Sequence, residues 1–289
     1  MTQRVALIGT GLMGRPMAHR LLGAGLALTV FNRSSGPLHQ LEALGARVAP
    51  SAASAVQHAD VVITMLPNGG VVSEVLLGGV LDALAPGTLL TDMSSIHPAI
   101  ARDHAALVRA RNVRYLDAPV SGGTVGAAAG TLAIMVGGEE ADVLRAQPVL
   151  EVLGRVTHVG PTGSGQLCKL VNQAIVAVNI GAVAKGLTLA QAGGADPEKV
   201  RRAILGGFAD SRILNLHGLR MTERQFEPGG TIINQAKDLD AVLDVAAAAG
   251  LQLPLTSQVR GLFGALLERG LGALDHSALI LEIVRLSGR

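Results

Sequence analysis

The sequence predicts an α/β domain built on a parallel sheet, followed by an all-helical domain. Three observations predict it. Short, almost wholly apolar runs alternate with amphipathic stretches through the first half, a glycine-rich segment follows the first run, and no strand alternation is found after Val159. The chain has 289 residues, enough for about two domains. Hydrophobic residues make up 49% and charged residues 16%, which excludes a disordered chain and allows a large core.

Taken in order, strands are expected over 5–8, 27–31, 61–65, 89–92 and 113–116, with helices over 13–22, 38–44, 71–76 and 99–110 between them. Apolar strands alternating with helices imply βαβ units and a buried parallel sheet. Two further strands, over 132–136 and 156–159, flank a helix over 142–153 and complete the sheet. Pro161 to Gly165 form a turn cluster. Past it the chain reads as one long helix over 166–191 that stops at Gly193-Gly194. Asp196 and Pro197 then open another helix, and more are expected over 235–249, 255–268 and 276–286. The expected domains are therefore 1–162 and 163–289.

Lys and Arg total 24 against 22 Asp and Glu, a surplus of two, and there is no Trp. That argues against a nucleic-acid partner, because neither a basic surface nor stacking platforms are provided. Cys168 is the single cysteine, so no intramolecular disulfide forms and a reducing, cytoplasmic setting is expected. Met1-Thr2-Gln3-Arg4 leads straight into a strand-like run, unlike a signal peptide. The apolar segment after Lys169 is interrupted by Asn172, Gln173, Asn179 and Lys185. No unbroken stretch reaches the roughly 18 residues of a membrane span, and no membrane partner is expected. Long Ala- and Leu-rich helices suggest burial against a second subunit, hence a homodimer or homotetramer.

The first strand runs into Gly9-Thr10-Gly11-Leu12-Met13-Gly14 and then a helix. This is G-x-G-x-x-G in a Rossmann setting. Gly9 makes the tight turn, Gly11 lets the backbone approach a pyrophosphate, and Gly14 lets the helix pack on the strand, with Leu12 and Met13 between. N–H groups at a helix start favour phosphate charge. About 20 residues on, where NAD enzymes carry Asp or Glu, the chain has Asn32-Arg33-Ser34. A carboxylate would repel a 2′-phosphate, whereas Arg33 can clamp it and Ser34 can donate to it. NADP(H) is therefore expected over NAD(H). Met65-Leu66-Pro67 and the segment Asp92 to Ser95 end two other strands and should lie along the same cofactor.

Asp117-Ala118-Pro119-Val120-Ser121-Gly122-Gly123 ends a further strand. The Ser121 hydroxyl and the unshielded N–H groups of Gly122 and Gly123 suit a carboxylate, although an ordinary tight turn has the same composition. Lys169 and Asn172 are i, i+3 on the long helix and share a face. A lysine near the start of an apolar helix opposes both the dipole and the burial pattern. It either snorkels to water or serves the cofactor crevice.

These residues together resemble the β-hydroxyacid dehydrogenase family, that of 3-hydroxyisobutyrate dehydrogenase and tartronate semialdehyde reductase. The resemblance spans essentially the whole chain. It is carried by Gly9 to Met17, by Asp117 to Gly123 with Gly126 and Gly130-Thr131-Leu132, by Gly163-x-Gly165 with Lys169 and Asn172, and by Lys237-Asp238-Leu239. It implies a Rossmann domain followed by a helical domain like the C-terminal domain of 6-phosphogluconate dehydrogenase. It also implies an NAD(P)-dependent oxidoreductase acting on a small carboxylate substrate. Lys169 would be the general acid and base, Ser121, Gly122, Gly123 and Asn172 would hold substrate, and Lys237 would reach the substrate or the nicotinamide ribose.

Within that family, Asp92 to Ile96, Asn172 to Ile180, Gln252 to Thr256 and Asp275 to Ala278 resemble the tartronate semialdehyde reductases most, and this resemblance implies reduction of tartronate semialdehyde to glycerate. Oxidation of 3-hydroxyisobutyrate and reduction of succinic semialdehyde or glyoxylate are the enzymatic alternatives. An imine reductase shares the architecture but usually lacks the lysine. A silent NADP-binding sensor is the non-enzymatic alternative. Cys168 points away from its neighbour Lys169 and is expected to be structural. The eight histidines show no metal-ligand spacing, so no metal is expected.

Overall fold

The computed structural model describes residues 3–34, 36 and 38–288; Met1 and Thr2, expected to lead into the first strand, lie outside them. The chain forms two compact units, Met1–Lys169 and Leu170–Arg289, divided within the helix Ser164–Ala192.

The first unit is built on β1 (Arg4–Ile8), β2 (Ala27–Phe31), β3 (Arg47–Val48), β4 (Val61–Thr64), β5 (Leu89–Asp92), β6 (Arg114–Asp117), β7 (Val120–Ser121), β8 (Leu132–Gly137) and β9 (Gly154–Gly160). They form one sheet in the order β3-β2-β1-β4-β5-β6-β8-β7, with β9 also on β8. Alternate residues explain why the strands are apolar throughout. Val5 and Leu7 enter one core cluster, while Ala6 and Ile8 enter another, so the sheet is covered on both faces. Leu7 is fully buried, and Leu7→Ala is expected to cost about 2–5 kcal/mol.

The strands from β3 to β6 are parallel. The sheet is not parallel throughout, however: β8 runs antiparallel to β6 and β7, and β9 is parallel to β8. The chain leaves β1 for β2 and β3, then returns to β4 on the other side of β1. That reversal is the switch point where open α/β sheets bind ligands.

The second unit is helical, comprising most of Ser164–Ala192 and then Pro197–Ile204, Arg212–Glu223, Ile232–Ala248, Pro254–Glu268 and Leu279–Leu286. Ala177, Ile180, Ala184, Leu239, Phe263 and Leu279 form its centre. Asp196 caps its helix as expected, accepting from the N–H groups of Glu198 and Lys199. The helix Arg212–Glu223 was not expected from the sequence pattern. By length and composition Ser164–Ala192 could cross a membrane, because the polar residues that interrupt it are few. Core helices share that character, and Ala177, Ile180 and Ala184 bury against this unit's own core.

Candidate active site

In the first unit, Gly9 has φ +98°, and a Cβ on it would lie 2.3 Å from the Met65 carbonyl oxygen. A Cβ on Gly14 would lie 1.8 Å from the Gly9 carbonyl. These two glycines are therefore fixed by close approach. Gly11 is exposed and a Cβ there would meet nothing within 4 Å, so its bare backbone faces open space. The helix Gly14–Gly23 carries no side-chain cap and no acidic residue in its first turn, which leaves its positive end to a ligand. The Thr10 hydroxyl is buried with no partner among the described residues. A glycine cradle, an uncapped helix start and an unsatisfied hydroxyl fit a dinucleotide.

Asn32, at the end of β2, is used within the protein. Its Oδ1 accepts from the Thr10 N–H at 3.1 Å, and its Nδ2 donates to the Ser34 carbonyl and hydroxyl at 3.1 and 2.9 Å. It shapes the loop from both ends, and the Ser34 hydroxyl keeps its own proton for donation. Arg33 is exposed. Met65 and Leu66 are half-buried and Pro67 is exposed. The Leu66 N–H donates to the Ser94 hydroxyl at 2.9 Å, which ties the β4 end to the β5 end. Ser95 follows, half-buried.

The start of the lysine helix is bolted to these strand ends. Asp117 accepts from the Gly163 N–H at 2.7 Å through Oδ1 and from the Gln166 N–H at 2.8 Å through Oδ2. Gln166 is fully buried; it donates to the Ser94 carbonyl at 2.8 Å and accepts from the Ile96 N–H at 3.0 Å. A Cβ on Gly165 would lie 2.4 Å from the Met135 carbonyl, which explains the glycine there. Lys169 is half-buried one turn beyond Gln166, and Cys168 beside it is also half-buried. Burial pushes the Asp117 carboxyl up to about 6 against its backbone bonds, and burial does the same to Asp92 against bonds from Ser94 and Thr64. Ser121 lies on β7, and Gly122 and Gly123 have φ +141° and +62°. Gly123 opens a short helix, Gly123–Ala129, which was not among the helices expected from the sequence.

In the second unit, Asn172 donates to Gln173 Oε1 at 2.9 Å, and Gln173 donates to Asp238 Oδ2 at 2.6 Å. Lys237 Nζ lies 3.2 Å from Asp238 Oδ1. Asn172 and Lys237 are thus joined through Gln173 and Asp238. The roles of Gln166, Gln173 and Asp238 were not read from the sequence. The only signal was their place beside Lys169, Asn172 and Lys237. Lys169, Ser121 to Gly123 and the cofactor loop belong to the first unit; Asn172 and Lys237 belong to the second.

Residues 4–160 match the NAD binding domain of 6-phosphogluconate dehydrogenase, and residues 163–283 match the NAD-binding domain of NADP-dependent 3-hydroxyisobutyrate dehydrogenase. The chain is 45% identical to 2-hydroxy-3-oxopropionate reductase of Escherichia coli (strain K12), over 96% of each chain. It is 39% identical to the NAD-dependent L-serine dehydrogenase of Pseudomonas aeruginosa, again over 96% of each. The solved 3-hydroxyisobutyrate dehydrogenase of Mycobacterium tuberculosis, with L-serine, superposes with a TM-score of 0.90 at 36% identity, covering 98% of this chain and 99% of that one. Fold, cradle and relatives define an NAD(P)-dependent oxidoreductase that acts on hydroxyl groups. Within that class the chain belongs to the β-hydroxyacid dehydrogenase family.

Proposed function

We propose that the protein reduces a small semialdehyde acid to a 3-hydroxy acid with NADPH, tartronate semialdehyde to glycerate being the substrate pair. The observation that carries this reading is the fixing of the lysine helix by Asp117 and Gln166. A carboxylate and a buried amide spent on one helix start make sense where the side chain one turn on must be held to a fraction of an ångström. The substrate pair is supported by the identity to the E. coli reductase.

Gly9, Gly11 and Gly14 would hold the pyrophosphate, and the Asn32–Ser34 loop the ribose. A reduced nicotinamide bound there supplies the hydride. Lys169, as ammonium, donates a hydrogen bond to the aldehyde oxygen, stabilises the developing alkoxide and gives it a proton. In the reverse direction its neutral amine takes the hydroxyl proton. Ser121, Gly122 and Gly123 hold the substrate carboxylate through a hydroxyl and positive-φ backbone N–H groups. Asn172 and Lys237 are further substrate-binding residues in this reading, supported by the family resemblance; within the second unit they are joined through Gln173 and Asp238. The lack of a carboxylate at Asn32 supports NADPH over NADH. The sole cysteine supports a reducing cytoplasm, and the long apolar helices support a homodimer or homotetramer.

Following reduced-nicotinamide absorbance with a panel of small semialdehydes tests the reading. The highest kcat/KM is expected with tartronate semialdehyde and NADPH. A higher value with succinic semialdehyde or glyoxylate would reassign the substrate. Absence of turnover with every aldehyde would leave only a nucleotide-binding role.

A further inference from the structure

Three polar side chains that the proposed chemistry does not use meet around one internal cavity of the first unit. Asp92 ends β5, Tyr115 lies on β6, and His104 lies on the helix Pro98–Arg109. Asp92 and Tyr115 are fully buried, and His104 is 3% exposed. With apolar walls that include Val72, Leu76 and Leu90, they line a cavity with about 10 Å³ open to the centre of a water molecule, room for one such molecule. Asp92 Oδ2, His104 Nδ1 and the Tyr115 hydroxyl have no hydrogen-bond partner among the described residues. Buried polar atoms are seldom left so, and a polar cavity takes up water where an apolar one stays dry.

What each atom offers is fixed by its neighbours. Ser73 Oγ donates its one proton to the Gly69 carbonyl at 2.9 Å, and it lies 2.8 Å from His104 Nε2. Ser73 therefore accepts from the ring, and the imidazole proton sits on Nε2. Burial lowers the His104 pKa, so the ring is neutral and Nδ1 is a bare acceptor. Asp92 Oδ1 accepts from the Thr64 hydroxyl at 2.8 Å and the Ser94 N–H at 3.0 Å. Burial raises this carboxyl only to about 6, so at neutral pH Oδ2 is a second bare acceptor. Burial first, then the charges of Asp92 and Asp117, push Tyr115 well above its usual range, so its hydroxyl keeps its proton and donates. Two acceptors and one donor are the complement of a water molecule, which donates twice and accepts.

We propose that Asp92, His104 and Tyr115 bind one internal water molecule, which donates to Asp92 Oδ2 and His104 Nδ1 and accepts from Tyr115, and that this water positions the ends of β4 and β5. The path runs through Asp92. Two bonds to a single oxygen leave a carboxylate free to pivot about it, and a third bond to the other oxygen removes that freedom. Asp92 Oδ1 in turn holds Ser94, whose hydroxyl accepts from the Leu66 N–H at 2.9 Å and whose carbonyl accepts from the Gln166 amide at 2.8 Å. One water therefore steadies both strand ends and the start of the lysine helix from behind. The positioning rests on the proposed function, in which these ends flank the dinucleotide; the water site itself does not.

Ordered water in a crystal structure of the parent enzyme tests the site. One peak is expected at about 2.6–3.2 Å from all three atoms. No peak there, or a direct bond between any two of the three atoms, would overturn the proposal. A second readout works in solution. Tyr115 is the single tyrosine, so the tyrosine doublet in the ultraviolet resonance Raman spectrum reports its hydroxyl alone. A hydrogen-bonded donor is expected, and the signature of an unbonded phenol would contradict the site. His104→Leu and His104→Asn then separate the water from packing. Both lose the contact to Ser73, but the Asn oxygen stands near the place of Nδ1. The water and the parent NADPH affinity, measured by calorimetry, are expected to persist in His104→Asn; in His104→Leu the water is lost and affinity falls at least about threefold. Packing alone favours Leu over Asn in such a setting, so the reverse order, or equal affinities, would overturn the positioning. No NADPH binding by the parent would overturn the functional reading and the positioning with it, while the crystal and Raman readouts still decide the water site.

Discussion

The α/β unit and the helical unit satisfy buried charge in opposite ways. In the α/β unit, Asp117 and Asp92 are served by neutral partners: the Gly163 and Gln166 N–H groups for one, Thr64 and Ser94 for the other. Burial wins, and both carboxyls rise to about 6. In the helical unit, Asp275 and Glu282 are served by cations, with Arg220 on Asp275 and Arg269 and Arg285 on Glu282. Both are held below their usual range: Asp275 by His217, His276 and Ser277 against burial, Glu282 by Arg285 first. The difference teaches that a buried carboxylate can be a backbone clamp, indifferent to distant side chains, or a hub whose partners must arrive from far along the chain.

Breaking the hub should have the largest effect. Asp275→Ala strips Arg220, His217, Ser277 and two glycine N–H groups of their acceptor, and should cost about 3–5 kcal/mol in denaturant unfolding. An effect below 1 kcal/mol would remove Asp275 from that role. Gly14→Ala comes next, because its Cβ would sit 1.8 Å from the Gly9 carbonyl. It should cost about 1–3 kcal/mol and abolish dinucleotide binding measured by calorimetry; unaltered binding would refute the cradle.

The contrast also predicts opposite responses to acid. Asp92 and Asp117 titrate higher in the folded than in the unfolded chain, so the folded state holds extra protons between about pH 4 and 6. Their contribution to stability is fully present below about pH 4 and lost as pH rises through about 6. Asp275 and Glu282 titrate lower when folded, so their contribution is present above about pH 4 and lost as pH falls below it. Tyr115, the single tyrosine, is fully buried in the α/β unit, so its near-ultraviolet dichroism follows that unit alone. Its melting temperature should rise on going from pH 7 to about pH 5, while far-ultraviolet helix melting should weaken below about pH 4. A Tyr115 signal that melts lower at pH 5 would contradict the assignment. The smallest effect is expected at the ribose loop. Asn32→Asp should lower NADPH affinity relative to NADH by about tenfold or less; an unchanged ratio would move cofactor choice elsewhere.

Much of the α/β unit was legible because its strands are covered on both faces and read as unbroken apolar runs. The two-residue strands Arg47–Val48 and Val120–Ser121 have no periodicity to read. The helix Gly123–Ala129, made almost wholly of glycine and alanine, resembles a turn. The helix Arg212–Glu223 was hidden by Gly218, which is small because a Cβ there would lie 3.1 Å from Arg201. The cofactor side of the site was visible because glycines at fixed spacing report backbone geometry directly. The Asp117–Gln166 clamp and the Asn172–Gln173–Asp238–Lys237 link were not, because each joins residues whose separation only the fold sets.

The central claim is that the amine of Lys169 serves the reacting oxygen. It is tested most directly by Lys169→Met, with turnover followed by reduced-nicotinamide absorbance and NADPH affinity measured by calorimetry on the same sample. The account predicts that turnover is lost while NADPH binds as tightly as in the parent enzyme. Turnover within tenfold of the parent would contradict it.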